Sequence, residues 1–264
     1  MRIAAVSDIH GNLPALEAVL ADIARSGADR TVNLGDIVSG PLWPAATARR
    51  LMALGLPTIR GNHERQLLTQ AAEVMSATDA HAARELEPAQ RDWLRSLPAT
   101  LPLDAQVFCC HGTPHSDLQY FLHTVTPGYD PRGDRGVRPA TPAEATQRAG
   151  DTQRGVAGAL LLCGHTHLPA VLRLADGRLV VNPGSVGLPA YDDVHPHPHV
   201  VENGSPHARY ALLWPTAAGW QVEQRCVPYD HEAAARQAEA NGRPDWADAL
   251  RTGLVGRWEA DAGA

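Results

Sequence analysis

The chain has 264 residues, of which 44% are hydrophobic, and a formal net charge of −6. That is enough apolar side chain to bury one large core, and it excludes global disorder. The acidic balance offers no field to coat a polyanion, so general nucleic-acid binding is not expected and any phosphate binding must be local.

The opening MRIAAVSDIHGN reaches polar residues too soon for a signal-peptide core, and no later run approaches a membrane span, so a cytoplasmic protein without membrane contact is expected. RIAAV reads as a strand and SDIHG as a loop. Asn12 then caps a helix with Pro14 in its first turn and Leu13, Leu16, Val19, Leu20 and Ile23 on one face up to Gly27. The same strand-then-loop grammar returns in RTVNLGD, PTIRGNHE, QVFCCHG and GALLLCGHTH, which predicts an α/β core. From about Leu172 the pattern changes. VLRLADGRLVVNPGS and ARYALLWPTAAGWQVEQRCVPYD each read as an antiparallel hairpin, and together they are expected to form a second sheet. HEAAARQAEANGRPDWADALRTGL predicts two short helices broken at Gly242 and Pro244, with Trp246 and Leu250 on a buried face. One domain over 1–253 is expected, with loop insertions near 126–142 and 191–207 bordering a cleft or standing in solvent, and 254–264 as a flexible tail. Cys109, Cys110, Cys163 and Cys226 lack paired metal spacing and read as reduced thiols.

The polar residues that follow each strand are Asp8 and His10, Asp36, Asn62 and His63, His111, and His165 and His167. All are ligand types for divalent metals, and loops at the carboxyl ends of strands converge on one crevice. In an extended segment residues i and i+2 project to one side, so Asp8 with His10, and His165 with His167, are expected to reach inward together. Gly11, Gly35, Gly61, Gly112 and Gly164 flank them and permit tight turns. This many donors exceeds one tetrahedral site and suits two adjacent ions. Two dications about 3.5 Å apart repel by roughly 19 kcal/mol at an effective dielectric near 20, so an anion must lie between them, and Asp36 is the carboxylate chosen for that bridge.

At these residues the sequence resembles the calcineurin-like metallophosphoesterase superfamily, through SDIHGN, LGDIVSG, RGNHER, CCHGTP and CGHTH in the family's order, with VNPGSVG extending the likeness to its small bacterial phosphodiesterase-like branch. The resemblance implies a four-layer sandwich of two mixed β-sheets flanked by helices. It implies one metal on Asp8, His10, Asp36 and His167 and a second on Asp36, Asn62, His111 and His165. The cofactors would be two divalent transition-metal ions, manganese first, with iron, zinc, nickel or cobalt as alternatives. His63 stays outside the ligand set and would contact the phosphoryl oxygens or protonate the leaving alkoxide. The implied activity is hydrolysis of a phosphodiester or nucleotide anhydride in a small substrate, by in-line attack of a metal-bridging hydroxide. Phosphomonoesterase, protein phosphatase and, in another class, a non-catalytic protein-binding scaffold are the alternatives.

Serine/threonine phosphatases of the superfamily carry Gly-Asp-x-x-Asp-Arg-Gly, where the second Asp orients the catalytic histidine and the Arg binds phosphate. This chain has Ser39 and Gly40 at those positions, which demotes protein phosphatase. A phosphate-binding arginine is then sought at Arg60, Arg65 or the 132–138 loop. His115 and Asp117 could line the substrate side, Tyr120, Phe121 and Trp43 could stack on a base, and His195, His197 and His199 could scavenge metal. For each, a packing or surface role is the simpler expectation.

Overall fold

The computed structural model describes residues 1–150 and 158–258. Two sheets form its centre. In the first, β1 (Ile3–Val6) runs parallel to β2 (Arg30–Asn33), and β12 (Ala208–Thr216) and β13 (Gly219–Val227) extend it antiparallel beyond β1. In the second, β4 (Val107–Cys110), β7 (Leu160–Leu162) and β9 (Leu179–Asn182) are parallel, with β3 (Thr100–Pro102) and β8 (Ala170–Arg173) antiparallel at the edges.

Strand alternation explains the layering. Ile3 and Ala5 of β1 point into a core shared with Val107 and Cys109 of β4, Leu160 and Leu162 of β7, and Val181 of β9, so the two sheets pack face to face. Ala4 and Val6 point the other way, onto Leu16 and Val19 of α1 (Leu13–Ser26) and onto Ala48 and Leu51 of α2 (Pro44–Leu54). Phe108, Cys110, Leu161 and Val180 cover the outer face of the second sheet with Ala145 and Ala149 of α6 (Pro142–Ala149). The architecture is the four-layer α/β sandwich that the sequence resemblance implies. Asn12 caps α1 as expected, its side chain accepting from the Ala15 N–H at 3.2 Å.

Several local expectations need correction. The two hairpins do not form a sheet of their own: β8–β9 joins β7, and β12–β13 joins β1, because each offers its apolar face to a different side of the central core. PTIRGNHE contributes a single bridge, Thr58 to Asn33, and then α3 (Asn62–Thr69). The 126–142 and 191–207 segments are loops carried on short hairpins. β5 (His123–Val125) pairs with β6 (Val137–Pro139), and β10 (Ala190–Asp193) pairs with β11 (His199–Glu202). The C-terminal pair α7 (His231–Ala240) and α8 (Pro244–Thr252) forms as predicted, and Trp246 and Leu250 are buried against Leu42, Leu188 and Ala190. The expected tail lies outside the described residues from position 259 onward. Among the described residues no helix is long and apolar enough to cross a membrane.

The loops at the carboxyl ends of β1 and β9 are stitched together: Val186 N–H donates to Ser7 O at 3.0 Å, Gly187 N–H to Asp8 O at 2.9 Å, and Ser185 Oγ to Asp8 O at 2.8 Å. A Cβ on Gly187 would stand 1.8 Å from Ile9 O, a backbone atom that cannot swing aside. Gly187→Ala is therefore expected to cost about 1–3 kcal/mol, visible as a lower midpoint in thermal unfolding, whereas an unchanged midpoint would show that the two loops are not tightly docked.

Candidate metal centre

Five of the seven candidate ligands follow a strand on a sharply turned backbone, while His111 directly follows β4 and Asn62 opens α3. Asp8, His10, Asp36, His165 and His167 all have φ between 51° and 67°, the left-handed region. This corrects the extended i, i+2 picture: the side chains converge through turns, and Asp and His are among the non-glycine residues that tolerate them. Such conformations cost of order 1–3 kcal/mol each and persist where surrounding bonds over-determine them. Those bonds are present. Asp8 N–H donates to Gly35 O at 3.0 Å, Ile9 and His10 N–H both donate to Asp36 O at 2.8 and 3.0 Å, and Gly164 N–H donates to His111 O at 2.7 Å.

Two clusters result, Asp8 with His10 and His167, and Asp36 with His111 and His165. His165 and His167 thus serve different clusters, while Asp8 and His10 share one. The clusters adjoin, since Asp8 Oδ1 lies 3.6 Å from His167 Nε2 and 3.9 Å from His111 Nε2. Asn62 joins the second cluster, its Oδ1 3.1 Å from His111 Nε2 while its Nδ2 donates to Gln66 at 3.4 Å.

The tautomers follow from the partners. Nδ1 of His10, His111 and His167 faces the carbonyls of Ser39, Leu34 and Leu188 at 2.7, 2.7 and 2.8 Å, and Nε2 of His165 faces Leu118 O at 3.0 Å. A carbonyl only accepts, so those nitrogens carry the proton, and in His10, His165 and His167, which burial keeps neutral, the opposite nitrogen keeps a lone pair. His10 Nε2 and His167 Nε2 then face each other at 3.0 Å with two lone pairs and no proton between them. Two nitrogens on one tetrahedral metal would stand about 3.3 Å apart. His111 differs: its Nε2 meets Asn62 Oδ1 and, at 3.0 Å, the Asp36 carboxylate, and although burial disfavours the charged ring, Asp36 and Asp8 outweigh it and raise its pKa to about 9, so in the metal-free protein this nitrogen is a donor whose proton a cation would have to displace. Asp8 Oδ2 is buried and has no hydrogen-bond partner among the described residues. A donor set of this kind fits cations and little else.

The electrostatics agree. Burial pushes His10 down to about 4 and His165 to about 3, and it drives His167 well below its ordinary value. Burial and the neighbouring Asp36 carboxylate lift Asp8 to about 7 against the pull of His111. Burial opposes the Asp36 anion, yet His111, His63 and His10 outweigh it and hold that carboxyl well below the usual range. Two buried carboxylates so close call for positive charge.

His63 stands beside the clusters, its ring 5.5 Å from that of His10 and 26% exposed. Its backbone N–H donates to Asp36 Oδ1 at 3.1 Å, and its Nδ1 is 3.0 Å from Asp79 Oδ1. Burial disfavours the charged ring, but Asp36, Asp79 and Glu64 outweigh it and raise its pKa to about 10.

Sequence reasoning missed several residues. Asp79, on α4 (Ala77–Glu85), supplies the carboxylate that Ser39 cannot, and the only local sign of it is the Ser76 cap whose Oγ accepts the Asp79 N–H. Glu64 is fully buried and accepts from the N–H groups of Gly61 at 2.8 Å, Asp36 at 2.9 Å and Ile37 at 2.7 Å, locking the β2 loop to α3. Its place after Asn-His in RGNHER was the available signal. Tyr191 was also missed; it joins hydroxyls at 2.5 Å with Tyr120, which the sequence had offered for base stacking, and their rings stand against His167 and His165. Trp246 packs edge-on to His10 at 5.8 Å.

Other candidates fall elsewhere. Arg65 is clamped by Asp117 at 2.6 and 2.9 Å, Arg135 pairs with Glu202, Arg138 pairs with Glu144, and Phe121 is core. A cavity of about 1080 Å³ opens over the centre, and none of Arg60, Arg65, Arg132, Arg135, Arg138, His115, Asp117 or Trp43 lines it. Among the described residues the one arginine that does is Arg148. His195 lines it as well, whereas His199 is fully buried and bonded to Tyr120 at 2.9 Å, so the Pro-His stretch is not simply a spacer.

The model of the calcineurin-like phosphoesterase superfamily domain matches residues 1–201, and the chain belongs to that superfamily. An uncharacterized protein of Methanocaldococcus jannaschii, MJ0912, is 26% identical over 267 residues, covering 92% of this chain and 94% of the relative. A metallophosphoesterase from Sphaerobacter thermophilus superimposes with a TM-score of 0.69 at 25% identity, over 95% of this chain and 98% of that one.

Two outcomes are expected. Glu64→Ala leaves four buried N–H groups, those of Asp36, Ile37, Val38 and Gly61, without an acceptor and should lower the free energy of unfolding in urea by roughly 3 kcal/mol or more, while a loss under 1 kcal/mol would remove Glu64 from the framework. In the metal-free protein His10, His165 and His123 titrate near 4, 3 and 4, below the ordinary 6.5. Between these values the unfolded chain binds more protons than the folded one, so stability falls as pH drops from 6.5 toward 4; Asp8, raised to about 7, opposes this with one proton. Chemical unfolding at stepped pH reads the sign, and a rise in stability over that window would contradict the assignment.

Proposed function

We propose that this chain is a phosphoesterase dependent on two divalent cations, acting on phosphodiester or nucleotide phosphoanhydride bonds of small substrates. The observation that carries the reading is the pair of lone pairs on His10 and His167, fixed 3.0 Å apart by protons committed to Ser39 and Leu188. On this reading Asp8, His10, Asp36 and His167 hold one cation, and Asp36, Asn62, His111 and His165 hold the other. Bound there, the cations supply Lewis acidity and an activated water for attack on phosphorus. Manganese is the first choice of metal.

The chain's own groups supply the rest. On this reading Asp36, buried and held anionic, would serve both sets and screen positive charge. The carbonyl-anchored imidazoles keep the donors in place without reorganisation. With Nδ1 of His63 committed to Asp79, Nε2 is the nitrogen free to give a proton to the departing oxygen, and the surrounding carboxylates keep that proton on the ring at neutral pH. The cavity above accommodates the organic part of a substrate of ordinary ligand size.

Turnover of bis(p-nitrophenyl) phosphate with added manganese tests the reading. Activity should vanish with chelator and in Asp36→Asn. His63→Asn should lose about 10²–10⁴-fold in kcat, and Asp79→Asn should lose less, because the ring remains. Full activity in the presence of chelator, or an unimpaired Asp36→Asn, would defeat the proposal.

A further inference from the structure

Away from the metal-binding side chains, the cavity is bordered by β5 and by Arg148 of α6. We propose that Arg148, with Thr124 and His123, forms a subsite for a second anionic group of the substrate, a phosphate beyond the one being cleaved. The inference rests on the phosphoesterase reading and narrows its substrate class to polyphosphates and other multiply anionic esters.

The guanidinium is pre-set for such a group. Nη1 donates to Phe121 O at 3.1 Å and His123 O at 2.8 Å, and Nη2 donates to Thr124 Oγ1 at 2.7 Å. These bonds hold it against β5 and use three of its five N–H donors, with the others unspent. Among the described residues no carboxylate lies within ion-pair distance of it, and Glu144, the acid on its helix, is engaged by Arg138. The other arginines considered are paired or stand outside the cavity. Beside Arg148, His123 is 8% exposed and borders the same cavity, and its Nδ1 is buried with no partner. Neither ring nitrogen of His123 has a hydrogen bond among the described residues. A buried polar ring without a partner among the described residues, next to a guanidinium outside ion-pair reach of any described carboxylate, is costly in an empty cleft and useful once an anion arrives. The cavity's other charges away from the metal ligands, Asp192 and Asp193, sit on β10, where Asp193 accepts the His195 N–H at 2.9 Å.

The test compares a single anion with a chain of them. Orthophosphate and adenosine 5′-(β,γ-imido)triphosphate, a slowly hydrolysed polyphosphate, are titrated by calorimetry into the manganese-loaded full-length chain. Arg148→Gln should weaken the imidotriphosphate roughly tenfold or more relative to orthophosphate. Because Arg148 also ties down β5, His123→Leu serves as a second variant; it removes an unpartnered polar ring, should keep the melting temperature, and should shift the same ratio by about threefold. In turnover, kcat/KM of Arg148→Gln should fall at least tenfold more on a dinucleoside tetraphosphate than on bis(p-nitrophenyl) phosphate. Equal weakening of both ligands, or an unchanged ratio in both variants, overturns the subsite. Wild-type protein that turns over neither substrate while Arg148→Gln still shifts the binding ratio would instead refute the phosphoesterase reading and leave the subsite standing.

Discussion

The structure turns on four imidazole protons tied to four backbone carbonyls. Ser39 O, Leu34 O, Leu188 O and Leu118 O each fix one ring; His10, His165 and His167 thereby aim a lone pair inward, and His111 turns its Nε2 to the Asp36 carboxylate. Without a cation, that arrangement sets acceptor against acceptor in a buried space and is repulsive. On the proposed reading a cation turns those facing lone pairs into its ligands. Because the carbonyls belong to the backbone of loops from both sheets, the donor geometry is a property of the whole sandwich rather than of any one motif.

The connections between loops follow from this requirement. His165 N–H donates to Asp8 Oδ1 at 3.1 Å, Gly164 N–H to His111 O, and Asn182 Nδ2 to Gly164 O at 2.7 Å, so loops from facing sheets hold one another. Five left-handed ligand residues store several kcal/mol of backbone strain, at roughly 1–3 kcal/mol each. The bonds that hold them, with the buried Glu64 beneath, stabilise that strained set. A cation that binds only the folded state would add its own binding free energy to folding. Stability and site therefore share the same atoms.

Much of this was legible in the sequence because the ligands sit in short motifs directly after strands, and local order alone brings Asp8, Asp36, Asn62, His111 and His167 to one end of the sandwich. Their conformation was not legible. An extended reading of Asp8 with His10 gave the right neighbours for the wrong reason, since φ near 51–55° places them. Asp79 lay 16 residues from His63, and only the packing of α4 beside α3 makes them partners. Which sheet each hairpin would join depended on long-range apolar contacts that a hairpin pattern does not encode. The same holds for Arg148: composition pointed to Arg60, Arg65 and the 132–138 loop, whereas the docking of α6 decides which arginine meets the cavity. Proline and histidine around 195–199 suggested a spacer, but the pairing of Asp193 with His199 buries the latter beneath Tyr120.

Anomalous diffraction from crystals grown with manganese tests the central claim most directly. The account predicts two peaks, one among Asp8, His10 and His167 and the other among Asp36, Asn62, His111 and His165, with Asp36 in contact with both. Crystals of active protein with no peak at either cluster would contradict it.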